Sequence, residues 1–429
     1  MRFSGEISTF AELISPMTQQ EFLDCYTKQL PVFIHGVTPS RVAKLIDAND
    51  VGHLIRTETY PGRRIRMVRN AQEIPLRFFT TREPQPRLSL SLIRGILNRG
   101  ASLVVDGLED THPKIADLAQ ALELEFSSTV WANAYVTTKE GGAFDVHYDN
   151  HDVIVLQISG SKRWHLFGRT EEFPVNLFEP AQAPKLEQSA DILCAGEVLF
   201  VPRGVWHRAE VVDSPSFHVT FGIRGETGLE FVTQAVNDLA KEALFRKYLP
   251  RIGGEHLLLE HEKKLKSLLH DWVEQLSAKT FLASCDAARP TRSDISPWNP
   301  IPLSRKAKIS FALLRRSPIG DLDSKEPVVL GRAHQISPTD RLILQILEKS
   351  GALSFDELIG QIRVMGDTIA EDEFATAVVR LAECGLLNIS VDDDASEHDP
   401  QREMASEQKQ EVPRGSLRPS AKLSRQETT

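Results

Sequence analysis

Cysteine is scarce in these 429 residues: Cys25, Cys194, Cys285 and Cys384 lie far apart and form no CxxC pair. That excludes a disulfide framework and a thiolate zinc site, and it is the usage of a reducing compartment. No apolar run approaches the length that crosses a bilayer. The N-terminus, MRFSGEISTFAELISP, lacks a basic start followed by an apolar stretch. A cytoplasmic protein without a membrane partner is expected. Positive charge is not in excess either. The net charge of −9 supplies no overall attraction to nucleic acid or anionic lipid, although it leaves a local basic groove open.

What is present is an ordinary apolar fraction, 41%, in a chain long enough for two or three domains. From about residue 28 to 225, short β-branched and aromatic runs alternate with Gly, Pro, Asp and Asn, the pattern of an all-β sandwich or barrel. Strands are predicted at 102–106, 129–138, 152–159, 161–167, 197–201 and 216–223. The segments TQQEFLDCYTKQ, SRVAKLIDA and LSLSLIRGILNRG have helical spacing and are expected to flank the barrel. After Gly225, apolar residues recur at three- and four-residue intervals, so 226–329 reads as a helical segment ending in a Pro-containing linker around 290–302. Residues 330–391 read as a small unit of three helices and a hairpin with N-caps at Ser337 and Ser354, the order of a winged helix. Over 336–391 it holds nine acids against four bases, which disfavours DNA. From Asp392 onward there is no aromatic residue and few aliphatics, the composition of a disordered tail.

The chemistry sits in GGAFDVHYDNHDVIVLQISGSK and GEVLFVPRGVWH. In a strand His147 and Asp149 point the same way and can bind one metal from adjacent positions. His207, presented by the turn that Pro202 and Gly204 shape, supplies a third donor. Two imidazoles and one carboxylate occupy one face of an octahedral metal and leave the other free, the arrangement of non-haem Fe(II) oxygenases. His151 shares parity with His147 and Asp149 and could compete as a ligand if a bulge intervenes. In WANAYVTT, Asn133, Tyr135 and Thr137 share a face, as do His218 and Thr220 in FHVTFGI. Either these polar groups face a ligand, or the parity is opposite and Phe217, Val219 and Phe221 face in. His218 is read as a core histidine.

The two halves resemble the paired motifs of the cupin superfamily, and HYDNHDVIVLQISGSKRW resembles the JmjC-type 2-oxoglutarate oxygenases, nearest to the ribosomal oxygenases. The resemblance spans roughly residues 1–390 and is specific only near the metal. It implies a JmjC double-stranded β-helix (1–225), a helical dimerisation segment (226–329), a winged-helix domain (330–391) and a tail (392–429). It implies that His147, Asp149 and His207 bind Fe(II). It also implies that Lys162, fifteen positions after the first ligand, pairs with the distal carboxylate of 2-oxoglutarate. Its parity with Trp164 and Leu166 favours the pocket over water. Asn133, Tyr135 and Thr220 match cosubstrate-binding positions of the family.

The activity implied is hydroxylation of a side chain, Arg or His, of a ribosomal protein or another polypeptide, by a homodimer; the charge balance, not the resemblance, disfavours a nucleic-acid partner. Two departures bear on substrate: animal members have Ser where Gly222 stands, and bacterial arginine hydroxylases have Arg where Lys162 stands. A small molecule or a biosynthetic precursor peptide is therefore an alternative substrate. A non-catalytic metal-binding cupin scaffold and a regulator acting through the winged helix are alternatives of other classes.

Overall fold

The computed structural model describes residues 7–36, 39–58, 64–82, 86–139, 144–175, 182–288, 305–311, 328–329, 332–333, 335–365 and 369–390. The tail from 392, the linker at 290–302 and the glycines of the GGAF run lie outside the described residues. The chain divides into two compact units, Met1–Thr291 with Leu313–Gln335, and Arg292–Ala312 with Ile336–Thr429.

The strands of the first unit are β1 (Val32–Ile34), β2 (Ile65–Arg69), β3 (Gln72–Glu73), β4 (Ser102–Val105), β5 (Thr129–Thr137), β6 (Asp152–Gly168), β7 (Ser189–Cys194), β8 (Val198–Val201) and β9 (Trp206–Arg224). They form one nine-stranded sheet in the order β1-β8-β6-β9-β5-β4-β2-β3, with β7 paired to β6. Every pairing is antiparallel. β6 and β9 are long because each serves two parts of the sheet. The first part of β6 lies between β8 and β9, and its second part lies between β7 and β9. The two runs expected at 152–159 and 161–167 are therefore one strand, bent at Gly160. There φ is +65°, and a Cβ would lie 2.5 Å from the Pro215 carbonyl oxygen. Register shifts between Gln157 and Lys162 accompany the bend.

Helices cover one face of this sheet. They are α1 (Phe10–Leu13), α2 (Gln19–Thr27), α3 (Pro39–Val42), α4 (Ala48–Thr57), α5 (Leu90–Leu97) and α6 (Pro113–Phe126). Phe10, Phe22, Ile93, Leu118 and Leu122 join Val130, Ala132, Ala134, Ile154, Leu156, Val219 and Phe221 in one core. α6 was not anticipated from sequence, although His112 caps it, Pro113 opens it, and Ile115, Leu118, Ala119 and Leu122 mark its buried stripe. Reading residues 28–225 as mainly β hid it. The class is mixed α/β with a large antiparallel sheet.

The helices α7 (Gly228–Leu239), α8 (Ala243–Arg246), α9 (Glu255–Gln275) and α10 (Ala278–Ala288) follow, then the short pair β11 (Val328–Val329) and β12 (Arg332–Ala333). Thr227 and Glu230 make a reciprocal cap at the start of α7. Among the described residues no helix is long and apolar enough to cross a membrane.

The second unit contains β10 (Lys308–Phe311), α11 (Pro338–Ser350), β13 (Leu353–Ser354), α12 (Phe355–Val364), α13 (Glu371–Glu383) and β14 (Leu387–Ser390). Caps at Ser337 and Ser354 are present. β10, which falls in the 226–329 segment read from sequence as helical with a linker and not in the 330–391 unit, is the central strand of a sheet ordered β13-β10-β14. Its four residues carry too little pattern to be found without their partners.

Candidate metal centre

His147 and His207 face each other across an isolated antiparallel bridge, the two backbones exchanging hydrogen bonds of 3.1 and 2.7 Å. The Gly204 amide donates to the Asp149 carbonyl at 2.9 Å, so the turn before β9 is tied to the segment ahead of β6 that carries the other two donors; this segment is not the strand expected from sequence, since His147 makes a single bridge and Asp149 lies in no strand. Ligand atoms of His147, Asp149 and His207 all lie within 4.8 Å of one another. The ring centroids of the two histidines are 4.4 Å apart, and His207 Nε2 is 3.6 Å from Asp149 Oδ2.

Each imidazole is oriented from behind. The Nδ1–H of His147 donates to the Asp145 carbonyl at 2.8 Å, and that of His207 to the Val205 carbonyl at 2.9 Å. Backbone carbonyls only accept, so this arrangement leaves both Nε2 lone pairs for a metal. Burial, and then the neighbouring His147, push the His207 pKa down to about 4, which keeps its ring neutral at pH 7. Neutral nitrogens, a carboxylate and outer hydrogen bonds that set the tautomer form a donor set that fits a divalent transition metal.

A cavity of about 300 Å³ opens over these donors. Asn133 and Tyr135 of β5, Lys162 of β6 and His218 and Thr220 of β9 line it with His147, Asp149 and His207. The alternating parity of β5 and β9 is resolved on both sides, because one face packs on a core and the other lines a cavity. Ala132, Ala134, Val219 and Phe221 point into the helix-covered core, and their neighbours point into the cavity. Thr137 is buried, bound to Ser102 Oγ at 2.6 Å, and only Ser102 of that pair lines the cavity.

Lys162 is 6% exposed, and no carboxylate lies within ion-pairing distance of it among the described residues. Burial holds its pKa down at about 7. A buried amine facing a cavity beside a metal donor set fits a cosubstrate that carries a carboxylate at the far end from its chelating group. Asn133 Oδ1 accepts from the Gly107 amide at 3.2 Å, which fixes the amide plane. Tyr135 is raised to about 12 by burial, then by Asp149 and Asp106, and so stays a neutral donor.

Sequence reading left several wall residues unmarked. His218, read as core, is a cavity wall: it stacks on Tyr135 with 4.8 Å between centroids, its Nδ1 has no hydrogen-bond partner, and burial drives its pKa well down. Arg66 also lines the cavity, held by Asp106 in a fork of 2.5 and 2.8 Å. Trp131 stands over Gly222, where a Cβ would lie 2.4 Å from the indole. A larger residue at 222 requires Trp131 to move. His151 lines the cavity but packs against Trp131 at 4.6 Å and lies outside the donor cluster.

Residues 109–231 match the model of the JmjC domain. The chain carries a JmjC domain. Its likeness is to the ribosomal oxygenases. It is 26% identical over 303 residues to "Ribosomal oxygenase 2" of Rattus norvegicus, covering 67% of this chain and 64% of that protein. It is 28% identical over 215 residues to "Bifunctional lysine-specific demethylase and histidyl-hydroxylase NO66" of Drosophila persimilis, covering 49% and 31%. The chain thus spans less than two thirds of the length of these relatives. Among solved structures it superposes on the ribosomal oxygenase YcfD of Escherichia coli in complex with cobalt and 2-oxoglutarate. The TM-score is 0.53 at 16% identity, over 88% of this chain and 99% of the other. That likeness is one of fold.

Proposed function

We propose that this protein is an Fe(II)- and 2-oxoglutarate-dependent oxygenase that hydroxylates a side chain of a polypeptide, with a ribosomal protein as the leading substrate class. One observation carries the reading: a His-Asp-His donor cluster and an unpaired buried lysine share one cavity. In this reading His147, Asp149 and His207 hold the iron, and Lys162 takes the distal carboxylate, with Asn133, Tyr135 and Thr220 orienting the cosubstrate. Iron with 2-oxoglutarate and O2 supplies the oxidant that places one oxygen atom in a C–H bond, with succinate and CO2 as co-products.

The chain's own part is to ligate, to orient and to exclude water. Trp164, 5.9 Å from the His207 ring between centroids, and Val153, Val155 and Val201 form the apolar wall that does the last of these. A polypeptide substrate is supported by a second, more open hollow of about 840 Å³, lined by Asn150, Arg203, Arg224, Glu230 and Phe281. Asn150 directly follows the donor Asp149, so this hollow and the metal centre share one short segment of chain. Names of the relatives support the ribosomal class and carry both hydroxylase and demethylase activities. The present reading takes hydroxylation.

Two further assignments belong to the same proposal. α7 to α9 leave Val232, Val236, Leu249, Ile252 and Val273 exposed, a surface that a second copy of the chain would cover in a homodimer. The second unit, with its β-α-β-α-α-β order, is read as a winged helix whose acidic balance suits packing or a protein partner, and the whole works in the cytoplasm. The test is two-part. Purified protein with Fe(II) should convert 2-oxoglutarate to succinate, and intact masses of ribosomal proteins should gain one oxygen atom only in cells carrying the gene. Succinate formation without any such gain would redirect the substrate to a small molecule or precursor peptide. Loss of a methyl group in place of the gain would make it a demethylase, and no turnover would leave a metal-binding scaffold.

A further inference from the structure

Charge is distributed very unevenly along this chain. Residues 52–100 hold ten arginines, no lysine and three acids, a net of +7 within a protein of net −9. Two of the ten are committed: Arg66 to Asp106, and Arg64 to Asp110 and the Gly107 carbonyl. Seven others, Arg56, Arg69, Arg77, Arg82, Arg87, Arg94 and Arg99, are exposed, and none forms an ion pair among the described residues.

Topology gathers six of them, all but Arg56, which belongs to α4. The sheet ends in the order β4-β2-β3, and the chain from Arg69 to Arg99 is built on that edge. It runs from the end of β2 through β3 and a short ladder, in which Thr80 bridges Leu88 and the Thr81 amide donates to the Arg87 carbonyl, into α5. Ile74, Leu76, Leu88 and Leu97 anchor this excursion to the core from beneath, and Ile93 and Ile96 do the same for α5. The arginines are thus the outward residues of a packed surface rather than of a loose arm. Arg66, three residues before Arg69 on β2, lines the cavity, so this surface and the cavity wall share a strand.

An aromatic group lies among the cations. Phe78 is 55% exposed, and the Arg77 guanidinium sits 4.8 Å from its ring centroid. Guanidinium groups match phosphate in a bidentate fork. An exposed ring flanked by such groups is a platform on which an unpaired base can stack. A bilayer surface suits this face less well. α5 is only eight residues long, its Ile93 and Ile96 are committed to the core, and its exposed Leu90 and Leu92 stand two positions apart, on different faces of a helix, so it has no apolar stripe to insert.

We infer that the β2–β3 edge of the first unit, with Arg69, Arg77, Phe78, Arg87 and Arg94, is a docking surface for single-stranded RNA. The phosphates would meet the arginines, and a base would stack on Phe78. This stands on observations separate from the metal centre, and it departs from the expectation, drawn from net charge, that disfavours a nucleic-acid partner. Charge averaged over 429 residues conceals a segment of opposite sign.

The experiment uses the full chain and a fluorescein-labelled single-stranded RNA of about 20 nucleotides and mixed sequence, long enough for a surface of this kind, followed by anisotropy across a salt series. Saturable binding is expected, with the logarithm of the affinity falling linearly against the logarithm of salt concentration. The triple variant Arg77→Gln, Arg87→Gln, Arg94→Gln should reduce that slope by about 2, at ~0.7 for each phosphate no longer neutralised on a single strand. Phe78→Ala should weaken binding by roughly tenfold at unchanged slope. The control triple Lys241→Gln, Lys264→Gln, Lys266→Gln removes the same charge from α9 and its surroundings and should change neither quantity. Anisotropy that stays flat at low salt overturns the proposal. So does an arginine variant that binds like the parent, or a preference for polyglutamate or phosphatidylserine vesicles over the RNA.

Discussion

Ala132, Ala134, Val219 and Phe221 point from β5 and β9 into a helix-covered core, whereas Asn133, Tyr135, His218 and Thr220, their immediate neighbours, point into the cavity over the metal donors. Burial separates them only by degree, the outer residues being fully buried and the inner ones half-buried apart from His218, and does not account for the difference. Chemistry does. The outer face is filled by apolar side chains packed against α2, α5 and α6, and its contribution is stability. The inner face carries buried polar groups with unmet capacity, the Lys162 amine and His218 Nδ1 among them. Such groups lower stability unless something binds them. A fold keeps that cost where a ligand repays it, so the two faces should respond to substitution in opposite ways.

The largest expected effect is on the inner face. Asp149→Ala removes the carboxylate donor and should reduce succinate formation by at least about a thousandfold, while the thermal midpoint moves by no more than about 4 °C. A variant that retains activity would detach the chemistry from this cluster. Phe221→Ala is the mirror case. Phe221 is fully buried on the outer face, and its truncation should destabilise the first unit by about 3–5 kcal/mol in a urea titration. Turnover per folded molecule should stay within a few-fold of the parent. A comparable loss of turnover in the folded fraction would mean that the two faces are coupled.

A smaller effect sharpens the comparison at one side chain. Lys162 is lowered from 10.5 to about 7 by burial, so the folded protein without cosubstrate gives up a proton that the unfolded chain keeps up to pH ~10. Stability therefore rises with pH from about 7 towards 10.5, where the unfolded state binds more protons, and the stabilising change is complete above that range. Lys162→Met should abolish that slope and raise the midpoint at pH 7. The same substitution should weaken 2-oxoglutarate binding by about 30-fold or more, as expected when a buried charged partner is lost. In the parent, cosubstrate affinity should decline as pH climbs through 7, because the amine must be protonated to pair with a carboxylate. Calorimetry of 2-oxoglutarate binding at two pH values measures it. A Met variant that is less stable and binds normally would place Lys162 among structural residues.

Much of this organisation was readable from the chain. The spacing of His147, Asp149 and His207, each beside turn residues on runs of β-branched side chains, marks donors that strands can bring together, and the structure places them within 4.8 Å. The placement of Lys162 was reachable only by counting from Trp164 and Leu166. Counting from Val153 and Val155, which also line the cavity, puts Lys162 on the wrong face, because the irregularities between Gln157 and Lys162 reset the parity. For His218 the sequence offered two equal parities, and nothing local says that one face packs on a core and the other lines a cavity. α6 had a clear helical stripe and was lost in a region read as strands, whereas β10 had no pattern of its own to read.

By itself, the sequence determined which residues can bind a metal, which runs are strands or helices, and where turns fall, because these depend on side-chain chemistry and on periods of a few residues. Only the tertiary structure decided which face of each strand meets the cavity, that His218 and Arg66 are walls of it, and that six exposed arginines gather on one edge of the sheet. Those outcomes depend on bulges, register and long-range pairing, which are settled by packing between segments distant in the chain and leave no signature in any one of them.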